Sequence, residues 1–310
     1  MNIVLLDSKT LGEDLDLTVL LQFGELANYA TTQKEETAER IEDANIVITN
    51  KVVITREMME EATSLKLICI AATGMNNVDL EAAKSLNITV KNVSGYSTTS
   101  VVQHTFTMAL HLIGHLPYHN RVVKSGAWSQ SKLFTDISHP FSEISGKKWG
   151  IIGLGEIGKS VALVAEAFGA TINYYSTSGL NKINDYHHSN LDELLNESDI
   201  LSIHCPLNEH TKNLINGSNL KLLKEGAVLL NLGRGGIINE VDLAEEMNKR
   251  ELYVGLDVLE QEPIAPSNPL LSIIHQDRLL ITPHIAWSSK EARATLLNGI
   301  VENIQNFIDK

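Results

Sequence analysis

The stretch GIIGLGEIGKS, Gly150 to Ser160, decides how this chain folds. An apolar run stops at Gly153, Gly155 and Gly158 follow at fixed offsets, and an amphipathic pattern, GKSVALVAEAFG, begins at the last of them. A G-x-G-x-x-G spacing arises often by chance, so its meaning comes from the strand before it and the helix after it. In that setting Gly153 permits the tight turn, Gly155 lets backbone approach a pyrophosphate with no Cβ in the way, and Gly158 lets the helix lie close on the strand. The first helical residues, Glu156 and Ile157, stand where unpaired N–H groups and the helix dipole attract phosphate. The alternative is a strand–helix corner without a ligand, and the surrounding pattern favours the dinucleotide site.

Outward from this motif the chain keeps alternating. Downstream, the runs ATINYY, DILSIHCP, AVLLNLG, LYVGLDVL and RLLITPH read as strands, separated by the helical stretches LDELLNE, SNLKLLKEG and VDLAEEMNKR. Asn190 fits an N-cap with Glu193 three residues on, Gly169 and Gly226 fall where helices should end, and Ser288 to Asp309 reads as a last helix. Upstream, NIVLLD, ANIVITN, KLICIAAT and ITVKNV alternate with charged segments in the same way. Strands alternating with helices indicate parallel βαβ units, hence an α/β protein with two doubly wound parallel sheets. Between the halves, Ser97 to Leu116 reads as one buried helix that Pro117 should end or kink. Tyr118 to Gly146 is expected to be irregular, and it is apolar enough to pack against something such as a second subunit.

The 310 residues suffice for two domains, and an apolar content of 43% supplies their cores. No run of apolar residues is long enough to span a bilayer. The N-terminal MNIVLLDSKT makes a poor signal peptide and a good first strand, so retention in the cytoplasm is expected. Cys69 and Cys205 both sit in apolar runs and read as buried reduced thiols rather than a disulfide. Lys and Arg number 25 against 38 Asp and Glu, a formal charge of −13 that repels nucleic acid and anionic membranes. Any site for an anionic substrate must therefore gather positive charge locally.

The motif calls for an acid about twenty positions on, to hold the ribose 2′-OH of NAD. That place reads NYYSTSGLNK, with Ser176 where the acid would fall. A hydroxyl does not repel a 2′-phosphate as a carboxylate does, and Lys182 lies a few residues beyond, yet no Arg follows Ser176 to clamp that phosphate. NAD and NADP both remain open.

Three charged residues stand at expected strand ends: Arg234 in NLGRGG, Glu262 in LEQEP and His284 in ITPHIAW. Ligands of doubly wound sheets bind at the carboxyl ends of strands, which brings all three toward a nicotinamide crevice. Arg supplies a two-pronged donor for a carboxylate or carbonyl, and His holds or releases a proton near neutrality. A carboxylate beside that His favours the imidazolium, the form that protonates a carbonyl oxygen as hydride arrives. Singly each residue has a bland reading as a loop, solvated or turn residue, and only their joint placement points to chemistry.

GIIGLGEIGKSVA, HCPLNEHTKNLI, LLNLGRGGIINE, GLDVLEQEP and ITPHIAWSSKEA occur in that order. In them the chain resembles the D-isomer-specific 2-hydroxyacid dehydrogenases over essentially its full length. The resemblance implies a Rossmann coenzyme domain, 99–287, inserted into a flavodoxin-like substrate domain, 1–98 plus 288–310. It gives catalytic roles to Arg234, Glu262 and His284, and the substrate carboxylate to Arg234 and the amides of Ala72, Thr73 and Gly74. Asp257 would orient the nicotinamide carboxamide, and Pro206, Leu232 and Gly233 would line the coenzyme cleft. Domain closure around the substrate and a homodimer through the linking helix and the aromatic segment are also implied.

AATGMNNVDLEAA, GAWSQSKLF and IAWSSKEA, with Trp287 after the His, are most similar to the glycerate dehydrogenase or hydroxypyruvate reductase branch. The activity so implied converts hydroxypyruvate or glyoxylate to D-glycerate or glycolate with NAD(P)H. Ser176 replaces the usual acid, Gln103 stands where the linking helix usually carries Glu, and no appended regulatory domain is expected. Two alternatives accompany this reading. One is an NAD(H)-sensing binding protein of the dehydrogenase-related corepressor type, which retains the same three residues but carries tails missing here. The other is a 3-phosphoglycerate dehydrogenase, disfavoured by the scarcity of Lys and Arg near the ATG loop. His111, His115 and His119 recur at helical spacing, but Leu112 stands where a zinc peptidase needs Glu and Pro117 breaks the register, so no metal is expected.

Overall fold

The computed structural model describes residues 1–179 and 185–310. The chain divides into two compact units, Met1–Ser97 with Ser288–Lys310, and Thr98–Trp287.

The first unit is built on β1 (Asn2–Leu5), β2 (Glu25–Asn28), β3 (Ile46–Thr49), β4 (Leu67–Ile70) and β5 (Thr89–Asn92), with α1 (Thr37–Ile41), α2 (Arg56–Glu61) and α3 (Leu80–Ser85) between them. The sheet is parallel in the order β2-β1-β3-β4-β5, the flavodoxin-like arrangement. IVIT and LICI are buried throughout, as strands covered on both faces must be. The last helix, Lys290–Ile308, packs on β4 and β5 through a stripe of Ala292, Leu296, Ile300 and Ile304. A Cβ on Gly299 would lie 2.6 Å from Val93 Cγ1, so glycine is what allows this approach. Arg293 then ties the helix to the Leu11 carbonyl at 2.8 Å and to Asp14.

The second unit starts with α4 (Thr98–Ile113) and α5 (Leu116–Lys124). Its sheet comprises β6 (Lys148–Ile152), β7 (Thr171–Tyr175), β8 (His187–His188), β9 (Ile200–Ile203), β10 (Ala227–Asn231), β11 (Leu252–Leu256) and β12 (Leu279–Ile281). Helices α6 (Glu156–Ala167), α7 (Leu191–Glu197) and α8 (Glu240–Lys249) connect them. The order is β12-β11-β10-β9-β6-β7-β8, all parallel, so the winding reverses between β6 and β9. That switch point is where a doubly wound sheet opens a ligand crevice at its carboxyl edge. Trp149 and Tyr174 are fully buried, and the Trp149 indole N–H donates to Ser202 Oγ at 2.9 Å. Asn190 caps α7, accepting from the Glu193 amide at 2.9 Å. Cys69 and Cys205 are free and buried, and burial pushes both thiols up to about 12. Among the described residues no helix is long and apolar enough to cross a membrane.

Four local expectations need correction, and one strand, β2, gives no signal in the sequence. The helix from Ser97 does not run to Pro117: α4 ends at Ile113, Gly114 and a left-handed His115 make the corner, and Pro117 lies in the first turn of α5. Proline lacks only an N–H that this turn leaves unpaired anyway, so it starts a helix here rather than stopping one. The segment after it is therefore helical to Lys124. SNLKLLKEG forms only a single 3-10 turn, Leu220–Leu222, and Gly226 at φ 73° leads into β10 instead of ending a helix. Strand β2, mostly exposed and without apolar alternation, forms because it pairs along the edge of β1.

Candidate active site

At the end of β6, Gly153 takes φ 91°, a left-handed conformation that glycine adopts freely. Its position also excludes a side chain, since a Cβ would lie 2.8 Å from the Cys205 amide nitrogen. A Cβ on Gly158 would meet the Gly153 carbonyl at 2.3 Å, so α6 lies against the turn only because that residue is glycine. Gly155, by contrast, has nothing within 4 Å of its Cβ direction. It is the N-cap of α6 and has no side-chain oxygen to pair the first amides, including those of Glu156 and Ile157. The Glu156 carboxylate accepts from Thr98 Oγ1 at 2.9 Å.

Other residues singled out above gather at the same edge. Ser176 follows β7 and is buried, whereas Lys182 lies outside the described residues. Pro206 follows β9, its carbonyl accepting the Thr211 hydroxyl at 2.7 Å. Leu232 and Gly233 follow β10, and a Cβ on Gly233 would come 2.8 Å from the Cys205 carbonyl, which measures how closely these two loops pass. An open glycine turn, a helix N-terminus without a side-chain cap and a small-residue corner on β10 together suit a dinucleotide phosphate bridge.

Beside this crevice, three neighbouring strands end in charged loops. Arg234 follows β10; its Nη1 donates to the Gly233 carbonyl at 2.9 Å, and Asn231 Nδ2 holds the Arg234 carbonyl at 2.8 Å. Asp257 and Glu262 follow β11, and His284 follows β12. His284 Nδ1 lies 2.7 Å from Glu262 Oε2, while Glu262 Oε1 accepts the Leu259 amide at 3.0 Å. A carboxylate on Nδ1 fixes the proton there and leaves Nε2 as the ring's working atom. His284 itself is left-handed at φ 55°, rare for a residue with a Cβ, and its amide donates to the carbonyls of Asp257 and Thr282, both at 2.9 Å.

Asp257 is buried, and its carboxylate accepts three bonds from the His284 loop: the Thr282 hydroxyl at 2.6 Å, the Ile285 amide at 2.8 Å and the Ala286 amide at 2.9 Å. Thr282 was not singled out from the sequence, where it reads as the end of a strand. In the first unit, the loop after β4 is tied down by its carbonyls. Ala72 O accepts the Val93 amide at 3.2 Å, and Thr73 O accepts Asn92 Nδ2 at 2.6 Å. The amides of Ala72, Thr73 and Gly74 have no protein acceptor among the described residues. No group of three His, Cys, Asp or Glu residues able to hold a metal ion occurs among the described residues. His115 and His139 are instead partners in an aromatic cluster with Tyr118, which stacks on His139 at 3.6 Å between ring centroids.

Residues 106–286 match the model of the D-isomer specific 2-hydroxyacid dehydrogenase NAD-binding domain. The chain belongs to that family. It is 37% identical to the hydroxypyruvate reductase of Blautia hydrogenotrophica, covering 99% of this chain and 97% of the relative. It is 36% identical to the glycerate dehydrogenase of Methylorubrum extorquens, covering 96% and 94%. Among solved structures, an acyclic imino acid reductase in complex with NADPH and D-Arg matches with a TM-score of 0.87 at 28% identity, covering 100% of this chain and 97% of the other. The chain is thus a nicotinamide-dependent 2-hydroxyacid dehydrogenase made of two parallel-sheet α/β domains, and residues 106–286 are its coenzyme-binding part.

Proposed function

We propose that this dehydrogenase reduces a small unphosphorylated 2-keto acid of the hydroxypyruvate or glyoxylate type to the D-2-hydroxy acid. The observation that supports it most directly is the 2.7 Å contact between His284 Nδ1 and Glu262 Oε2 on the loops that follow two adjacent strands. With Nδ1 held by the carboxylate, His284 presents Nε2–H to the substrate's carbonyl oxygen and delivers its proton there. Glu262 stabilises the charged ring before that transfer. The Arg234 guanidinium takes the substrate's carboxylate or carbonyl, and the family resemblance assigns the carboxylate also to the amides of Ala72, Thr73 and Gly74, which have no protein acceptor among the described residues. The bound reduced nicotinamide supplies the hydride. The glycine turn with Glu156 and Ile157 would hold its phosphates, and Pro206, Leu232 and Gly233 would line its cleft, with Asp257 at the carboxamide end.

Hydroxypyruvate as substrate is supported by the two relatives above and by the lack of lysine and arginine between Lys66 and Lys84, which leaves nothing near Ala72–Gly74 in sequence to pair a phosphate group. Ser176 offers a neutral hydroxyl at the ribose position, so both NADH and NADPH are accepted. Exposed Trp128, Leu133, Phe134, Ile137 and Phe141 form the surface through which two copies associate. The enzyme works in the cytoplasm, in keeping with two unpaired thiols.

The test is loss of reduced-nicotinamide absorbance with hydroxypyruvate and with glyoxylate, run in parallel with NADH and NADPH. Turnover with both coenzymes is expected, and His284→Ala lowers kcat by about 10²–10⁴-fold with the fold intact. Full activity in that variant refutes the assignment.

A further inference from the structure

Helix α4 places Ser100 and His104 one turn apart, on one face, against the loop that carries His284. Ser100 Oγ donates to the Ala286 carbonyl at 2.6 Å, and His104 Nε2 lies 3.1 Å from Thr282 Oγ1. Thr282 has one hydroxyl proton, and that proton goes to Asp257 Oδ1 at 2.6 Å. Toward His104 the Thr282 oxygen therefore accepts, which puts a proton on His104 Nε2. The bonds run in one direction: from His104 to the Thr282 oxygen, from Thr282 to Asp257, with the Ile285 and Ala286 amides closing on the same carboxylate at 2.8 and 2.9 Å. These two amides immediately follow His284, and the His284 amide bonds back to the carbonyls of Asp257 and Thr282.

We propose that His104 is a positioning residue for the proton donor, acting through Thr282 and Asp257, with Ser100 as a second anchor on the same loop. This rests on the reading of His284 given above. The left-handed backbone at His284 is a conformation its side chain disfavours, so something outside the residue must hold it. The Asp257 carboxylate does so by capping the next two amides, and its own orientation is set by Thr282 and His104. The rest of the inward face of α4 is Val101, Val102, Phe106, Met108, Ala109 and Leu112, with Thr105 bonded to the Val101 carbonyl. Apolar packing alone would seat the helix. Ser100 and His104 add hydrogen bonds directed at the loop, and a displacement of the reacting ring by an ångström is enough to slow turnover severely.

The experiment compares His104→Leu with His104→Gln, which keeps an N–H donor, and Thr282→Val with Thr282→Ser, which keeps the hydroxyl. Measured for each are kcat, KM for NADH, and hydrogen exchange of the peptide spanning 282–287. His104→Leu and Thr282→Val should lower kcat roughly tenfold, with a smaller rise in KM for NADH through the loosened Asp257, and should speed exchange of the Ile285 and Ala286 amides. His104→Gln and Thr282→Ser should recover most of both effects. Should His104→Leu fail to fold, Ser100→Ala removes a single atom and should give the same pattern at smaller amplitude. Wild-type kcat and exchange in the disruptive variants overturn the proposal, as do conservative variants no better than the disruptive ones. If the wild-type chain turns over neither keto acid while exchange follows the bond pattern, positioning stands and the proposed reaction falls.

Discussion

Replacing Glu262 by Gln removes one charge and one acceptor from the proposed catalytic pair. Glutamine keeps the size but has one acceptor oxygen, which serves either the Leu259 amide, bonded at 3.0 Å to Glu262 Oε1, or His284 Nδ1, but not both. What changes is the partner 2.7 Å from His284 Nδ1. A hydrogen bond to an ionised group contributes about 1.5–3 kcal/mol and a neutral one about 1 kcal/mol. The two side chains are 21% and 36% exposed, so water screens the pair, and the difference in the transition state is about 1–2 kcal/mol. At about 1.4 kcal/mol per tenfold, kcat for keto-acid reduction falls about 5- to 30-fold. The reverse reaction is more sensitive. If the amide turns its NH₂ toward Nδ1, the neutral ring must carry its proton on Nε2, the atom that has to accept the alcohol proton. The assay is initial rate in both directions at saturating coenzyme, with a thermal melt of each protein. Equal rates for variant and wild type in both directions would refute the reasoning, as would an activity loss matched by a collapse of the melting temperature.

Two further predictions follow from groups outside that pair. Both ring nitrogens of His204 are buried with no hydrogen-bond partner among the described residues, and burial pushes its pKa down to about 3. The unfolded chain, with a His pKa of about 6.5, binds a proton that the folded state refuses between those values. The resulting contribution is present above pH ~6.5 and lost as pH falls toward 3, by up to about 1.4 kcal/mol per pH unit. Urea unfolding between neutral and acid pH should show a steeper loss for wild type than for His204→Leu, and parallel slopes would exclude the mechanism. For the proposed dimer, Phe134, 90% exposed on the aromatic segment, should become an interfacial anchor. Phe134→Asp should lower the mass measured by light scattering from two chains to one without altering the circular dichroism, and an unchanged mass places the interface elsewhere.

The features legible in the sequence are those in which one residue type answers a local steric demand. Gly153 and Gly158 are read from spacing because a turn at φ 91° and a Cβ position 2.3 Å from a carbonyl admit nothing but glycine. The buried strands IVIT and LICI are read because sheets covered on both faces select continuous apolar runs. Strand β2 escapes the same reading, since it is held by its neighbour's edge and not by its own side chains. Around Pro117 the apolar spacing carries through Gly114 and His115, and periodicity alone does not report that the chain has turned there. The proposed active site shows the same division more sharply. Arg234, Glu262 and His284 are visible as charges at strand ends, but only the order β10-β11-β12 makes their loops neighbours. His104 and Thr282, 178 positions apart, give no local sign of each other. Each satisfies an ordinary demand of its own element, a polar position on a helix and a hydroxyl at a strand end. Their shared role arises only once the sheet brings β12 under α4. A residue that acts by orienting another is therefore the kind a linear reading loses first, because its signature is a direction of hydrogen bonding and not a pattern of residue types.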